Sequence, residues 1–145
     1  MKLIKILSGI KYEVVKGDIE VEVNNISYDS RKVGKEDAFI CLVGASVDGH
    51  DYIEKAIESG ANTIIVQKDI NIDSDVTVIK LEDTRKSLSR LAINYFDNPS
   101  SELTTIAITG TKGKTTTDFY INNILSSYLG YRPGIIATQY FYDGT

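Results

Sequence analysis

The sequence predicts an α/β fold, and three observations carry that reading. Apolar runs of strand length, at residues 38–43, 63–66 and 76–79, alternate with segments of helical period. Such alternation implies a parallel sheet flanked by helices. The third observation is a glycine loop, Gly110-Thr111-Lys112-Gly113-Lys114-Thr115, set between an apolar run and an amphipathic segment.

Residues 12–15 and 19–23 are rich in β-formers and flank Lys16-Gly17-Asp18, so they predict a hairpin. A polar break, Tyr28-Asp29-Ser30-Arg31, follows Ile26. The run 38–43 is continuously apolar, as suits a strand buried on both faces, and ends at Gly44. After Asp48-Gly49-His50-Asp51, the residues Ile53, Ala56 and Ile57 share one helical face, and Gly60 marks the stop. Strands at 63–66 and 76–79 follow. Asp83 or Thr84 caps the next helix, whose apolar face is Leu88, Leu91, Ala92 and Tyr95. Asn98-Pro99 ends it, because proline disfavours helical geometry in the residue before it.

A boundary is expected at about 98–102, giving domains over 1–99 and 100–145. Beyond it the pattern restarts. Residues 104–108 predict a strand, the glycine loop follows, and a helix presents Ile121, Ile124, Leu125 and Tyr128 on its apolar face before Gly130. Residues 134–138 predict a further strand, completing one β-α-β unit. A lone unit of this kind closes no core, so the chain reads as a truncated piece of a larger protein. Its exposed faces and edge predict self-association.

Composition excludes several classes. Hydrophobic residues make up 42% and charged residues 25% of the 145, the balance of a soluble globular protein. The formal net charge is −4 and no basic run exceeds two residues, which argues against a nucleic-acid partner. No stretch approaches the roughly 20 apolar residues that span a bilayer, so no membrane partner is expected and a cytoplasmic location is the default. The basic and apolar start, 1–7, lacks the core and cleavage site of a signal peptide. Cys41 is the only cysteine and reads as a buried strand thiol.

A phosphate-binding loop requires three elements. Glycines let backbone N–H groups converge on the anion, a lysine reaches the terminal phosphates, and a Ser or Thr hydroxyl binds magnesium. Gly110 and Gly113, Lys114, and Thr115 supply them in turn. The helix N-terminus adds partial positive charge. The ligand so implied is ATP with Mg2+. The longer common loop places glycine where this chain has Ile108, so an inactive strand-to-helix turn is the alternative. Lys112 is either a solvated loop side chain or a second phosphate contact. Thr116 either fills the first helical turn or reaches the α-phosphate. Asp118 suits the helix dipole. His50, the only histidine, reads as structural.

The stretch Ile108-Thr109-Gly110-Thr111-Lys112-Gly113-Lys114-Thr115-Thr116-Thr117 resembles the ATP loop of the Mur ligases, which use this shortened form. Upstream, Tyr28-Asp29-Ser30-Arg31, Asp37-Ala38-Phe39-Ile40-Cys41, Gly44, Asp48-Gly49-His50-Asp51-Tyr52-Ile53, Ala56 and Gly60-Ala61 are similar to the N-terminal substrate domain of that family. The resemblance implies a mixed α/β substrate domain followed by the first β-α-β unit of an ATP-binding domain. It implies an ATP-dependent amide-forming ligase of peptidoglycan precursor synthesis, working through an acyl phosphate. Its partners would be UDP-N-acetylmuramoyl-dipeptide and an amino acid. The Gly-Thr start of the loop favours the member that adds the third stem-peptide residue over the D-Ala-D-Ala-adding member.

By position in the family, Ser30 and the backbone of Ala45, Ser46 and Val47 would contact the UDP portion. Gly110, Thr111, Lys112, Gly113, Lys114, Thr115 and Thr116 would hold ATP, with Thr115 on the metal. Lys112 stands where the family more often has Asn. Thr138 matches a threonine near the metal and phosphate region, with Ala137 and Gln139 fitting loosely around it. Asp29-Ser30-Arg31 also has the composition of a hydrogen-bonded turn. The family's modified lysine and later substrate contacts would lie beyond Thr145, so these residues alone are not expected to complete the reaction. A non-catalytic module binding UDP-sugar or nucleotide is the competing reading.

Overall fold

The computed structural model describes residues 1–138 and 140–143, which fall into two compact units, Met1–Glu102 and Leu103–Thr145. Gln139, Gly144 and Thr145 lie outside the described residues.

The first unit is built on a five-stranded mixed sheet. Its strands are β1 (Tyr12–Lys16), β2 (Ile26–Ser27), β3 (Ala38–Ile40), β4 (Thr63–Val66) and β5 (Thr77–Leu81), in the order β1-β5-β4-β3-β2. Strands β2 to β5 are parallel, and β1 joins β5 antiparallel. The α/β expectation holds, with the mixed character set by that one edge.

Side chains alternate across the sheet, so each central strand feeds two cores. Ala38, Ile40, Ile65, Ile79 and Leu81 face one side, where Leu3, Ile6, Leu7, Val23 and Leu91 cover them. Phe39, Cys41, Ile64, Val66 and Val78 face the other, under Val33, Ile53, Ala56 and Ala61. Helix α2 (Ile53–Glu58) supplies Ile53 and Ala56 to that second cover. On the first side lie the single-turn helix α1 (Leu3–Ile6) and helix α3 (Thr84–Tyr95). The apolar start of the chain is therefore a core element: Leu3 and Ile6 are fully buried. Asn94 ties the two helices by donating to the carbonyls of Ile6 at 2.8 Å and Ser8 at 2.7 Å.

Asp83 caps α3, its carboxylate accepting from the Lys86 N–H at 3.0 Å, so Asp83 rather than Thr84 is the cap. Thr84 is instead buried and donates its hydroxyl to the Cys41 carbonyl at 2.7 Å. Cys41 sits just past β3, fully buried, its thiol pushed up to about 12 by burial.

The hairpin expected from 12–15 and 19–23 does not form. β1 pairs with β5, whose Val78 and Ile79 are buried, while Glu22 bridges to Lys2. Gly17 makes the turn possible: its φ is 84°, and a Cβ there would meet Thr77 Oγ1 at 2.5 Å. Next to it, the Asp18 N–H donates to that hydroxyl at 3.2 Å.

In the second unit, α4 (Lys114–Leu129) runs to Gly130, and β6 (Ile135–Ala137) pairs antiparallel with β7 (Tyr140–Tyr142). Two details differ from the sequence reading. Residues 104–108 join no ladder, because no described segment of the unit pairs with them, and a strand exists only with a partner. The expected apolar face of α4 is only partly covered: Ile124 is 68% and Tyr128 85% exposed, while the polar Asn122 is buried and donates to the Pro133 carbonyl at 2.9 Å. Arg132 lies over the rings of Tyr140 and Tyr142, with its centre 5.4 and 4.4 Å from their centroids. No described helix is long and apolar enough to cross a membrane.

Burial separates two otherwise similar substitutions. Ile65→Ala is expected to cost about 2–5 kcal/mol, and Ile124→Ala less than about 0.5 kcal/mol. Urea unfolding followed by far-ultraviolet circular dichroism measures both, and equal losses would contradict the assignment of the core.

Candidate functional site

A cleft of about 400 Å3 opens at the carboxyl edge of the first unit's parallel strands. Ligands of open α/β sheets bind outside that edge. Phe39 in β3 and Leu42 just beyond it form the apolar floor. Tyr28, Asp29, Ser30 and Arg31 form one wall, directly after β2. Val47, Gly49, Tyr52 and Lys55 form the other.

The first wall is shaped by a short 3-10 turn, Ser30–Lys32, capped by Asp29. Asp29 Oδ1 accepts from the Arg31 N–H at 3.1 Å, and both its oxygens take the guanidinium, Nε at 2.9 Å and Nη2 at 2.8 Å. That pairing, and then the backbone N–H, hold the Asp29 carboxyl down to about 2. The turn alternative at Asp29-Ser30-Arg31 is thus real geometry, and it coexists with a cleft position. Ser30 is nearly buried, and its hydroxyl has no hydrogen-bond partner among the described residues.

The second wall begins as a tight hairpin over 42–49. The Gly44 N–H donates to the Val47 carbonyl and the Gly49 N–H to the Leu42 carbonyl, each at 2.8 Å. Val47 lines the cleft, whereas Ala45 and Ser46 are exposed at the hairpin tip and do not. The structure therefore brings Ser30 and Val47 together and leaves Ala45 and Ser46 beside them. Sequence reasoning missed Tyr52 and Lys55. Their signal was available: they lie three apart, a spacing that puts two residues on one side of a helical turn.

In the second unit, Gly113 precedes α4 with φ 77°, ψ 0°. A Cβ at Gly113 would meet nothing within 4 Å, so glycine is favoured there by backbone conformation and not by space. The Lys114 ammonium curls back to the Gly110 carbonyl at 2.6 Å. The Thr117 hydroxyl donates to the Gly113 carbonyl at 2.9 Å. Among the described residues, the hydroxyls of Thr111, Thr115 and Thr116 have no hydrogen-bond partner and Lys112 has no ion pair. From 103 to 117 the chain carries two lysines and no acid. The loop thus offers free first-turn N–H groups, two cations and unengaged hydroxyls, a donor set that fits a polyphosphate with its metal. Thr138 is exposed, next to Gln139 outside the described residues.

Known proteins resemble this chain in sequence and in fold. The chain belongs to the Mur ligase family: the profile of "Mur ligase family, catalytic domain" matches residues 22–96, about half of the chain and all within the first unit. It is 49% identical over 144 residues to the UDP-N-acetylmuramoyl-L-alanyl-D-glutamate--2,6-diaminopimelate ligase of Clostridium perfringens, an alignment covering 99% of this chain and 30% of that protein. The chain thus spans about three tenths of the length of the curated relatives it matches. A solved ligase of the same printed name shares the fold, with a TM-score of 0.74 and 21% identity over 98% of this chain and 28% of that one. The MurF ligase from Thermotoga maritima, solved in complex with ADP, has a TM-score of 0.57 and 32% identity over 71% of this chain and 23% of that one.

The Asp29 pairing has a pH signature. Its carboxyl is lowered in the folded chain, so the charged pair stabilises above the ordinary value of 3.8 and is lost as pH falls toward about 2. The stability difference between the parent and Asp29→Asn is expected to be constant above about pH 5 and to shrink between about pH 4 and 2. Urea midpoints at stepped pH measure it; a difference that persists unchanged at pH 2 would contradict the pairing.

Proposed function

We propose that this chain is the UDP-substrate-binding domain and the start of the ATP-binding domain of a cytoplasmic ligase of peptidoglycan precursor synthesis. The reaction joins 2,6-diaminopimelate, as the third stem-peptide residue, to UDP-N-acetylmuramoyl-L-alanyl-D-glutamate. Sequence likeness to ligases so named, running along nearly the whole chain, carries the choice of amino acid. The cleft at the carboxyl edge carries the choice of site.

Within the cleft, the Ser30 hydroxyl and the Val47 backbone hold the UDP portion. The Tyr28 and Tyr52 rings suit a planar base, and Lys55 and Arg31 suit a diphosphate. Ala45 and Ser46 reach the ligand only through backbone at the hairpin rim. In the second unit, the 110–116 loop holds the ATP phosphates: Gly110, Thr111 and Gly113 by backbone, Lys112 and Lys114 by charge, Thr116 by its hydroxyl, with Thr115 on Mg2+. ATP supplies the phosphoryl group that activates the substrate carboxylate as an acyl phosphate. The amine of the incoming amino acid then attacks that carbonyl, giving the amide and releasing phosphate. The protein's contribution is to position the groups and to stabilise developing charge on the transferred phosphoryl group.

Two outcomes are expected. In calorimetry with UDP-N-acetylmuramoyl-dipeptide, Ser30→Ala weakens binding by about five- to tenfold, the worth of one lost hydrogen bond. Equal affinity would remove Ser30 from the site. With that substrate, ATP and diaminopimelate, these 145 residues alone release no ADP above background, since they span about three tenths of the related ligases; robust ADP release with amide product would overturn that.

A further inference from the structure

The cleft's second wall is the 42–49 hairpin, and its tip is exposed. Its own backbone bonds shape it but do not anchor it. Leu42 at its root packs against the first core. One hydrogen bond from outside comes from Arg85 Nη2, which donates to the Val43 carbonyl at 3.2 Å. A chain of hydrogen bonds through His50 adds to it. The imidazole is almost fully enclosed, with 6% of the side chain exposed. Its Nε2 accepts from the Gln67 N–H at 3.3 Å, so Nδ1 carries the proton and donates to Asp48 Oδ1 at 2.5 Å. Asp48 Oδ1 also accepts from the His50 N–H at 3.0 Å, and its other oxygen pairs with the Lys68 ammonium. Gln67 continues the chain, its side-chain oxygen accepting from the Thr84 N–H at 3.2 Å. The root of the hairpin is thereby bound to the exit of β4 and the start of α3.

Both ring nitrogens are occupied, so His50 is not free as a base or a ligand. Nor do Asp48, His50 and Lys68 line the cleft. Any effect they have on a bound molecule must pass through the hairpin, which carries Val47 and Gly49 on the cleft wall.

We infer that Asp48, His50 and Lys68 are positioning residues that fix the 42–49 hairpin and so set how tightly the cleft holds a uridine diphosphate group. This rests on the reading of the cleft given above. The charge on Asp48 is maintained by its partners: the Lys68 ammonium first, then the His50 N–H groups, hold its carboxyl well below the usual range. The Lys68 pair is exposed and contributes modestly, whereas the enclosed His50 bonds contribute more.

The test uses the 145-residue chain with UDP as the probe. Amide exchange by nuclear magnetic resonance follows Gly44, Gly49 and Gln67, with Ile65 as a core control, and a titration gives Kd for UDP. Lys68→Ala is expected to speed exchange at Gly44 and Gly49 and to raise Kd about threefold. His50→Phe is expected to do the same with a rise of about tenfold. Lys68→Arg should restore both readouts, since a guanidinium reaches the same carboxylate. Exchange at Ile65 should not move. If His50→Phe does not fold, the exposed Lys68→Ala decides the matter. Variants whose hairpin loosens yet bind UDP as tightly as the parent would overturn the positioning role while the cleft reading stands. So would variants whose hairpin exchange is unchanged. A parent chain that does not bind UDP at millimolar concentration would overturn the cleft reading and this inference together.

Discussion

Strands β3, β4 and β5 bury both of their faces, and most of the first unit follows from that. A strand flanked by water on one side needs cover once; these need it twice. α2 and Val33 close one side, and α1, Val23 and α3 close the other. The obligation reaches the first residues of the chain, since Leu3, Ile6 and Leu7 complete a core whose other members lie dozens of residues away. The same sandwich leaves the ends of these central strands, and not their faces, open to functional groups. The cleft opens there, and the bonds among Cys41, Gln67, Thr84 and His50 are concentrated there.

The parts legible in the sequence were those decided by local pattern. Continuous apolar runs marked β3, β4 and β5, and Asp83 stood where a cap is needed. What was not legible depended on choice of partner. The segment 12–16 has β-forming residues whichever strand it joins, and only the assembled sheet shows β5 as the better neighbour, because its buried Val78 and Ile79 cannot be left without a flanking strand. Residues 104–108 illustrate the converse: their composition favours a strand, yet extended chain without a ladder is not one. On α4, the periodicity marked Ile124 and Tyr128 correctly as one stripe, but periodicity says which residues share a face and not whether anything covers it.

The candidate site divides along the same line. The glycine loop and the Tyr28–Arg31 segment are contiguous, so residue order exposes them. Tyr52, Lys55 and the His50 bonds come together only through folding. Spacing alone did not show what surrounds His50: Gln67, which donates to its ring, and Lys68, which pairs with its neighbour Asp48, lie at the exit of another strand.

Cys41 gives the first unit an internal reporter. It is the chain's single thiol, it is closed off from water, and burial keeps it protonated far above neutral pH. A soluble alkylating reagent therefore meets it only when the edge of the sheet beneath Thr84 comes apart. The labelling rate becomes a clock for opening at the very place where the cleft, the hairpin root and the start of α3 converge, with no engineered probe and no second cysteine to confuse the signal.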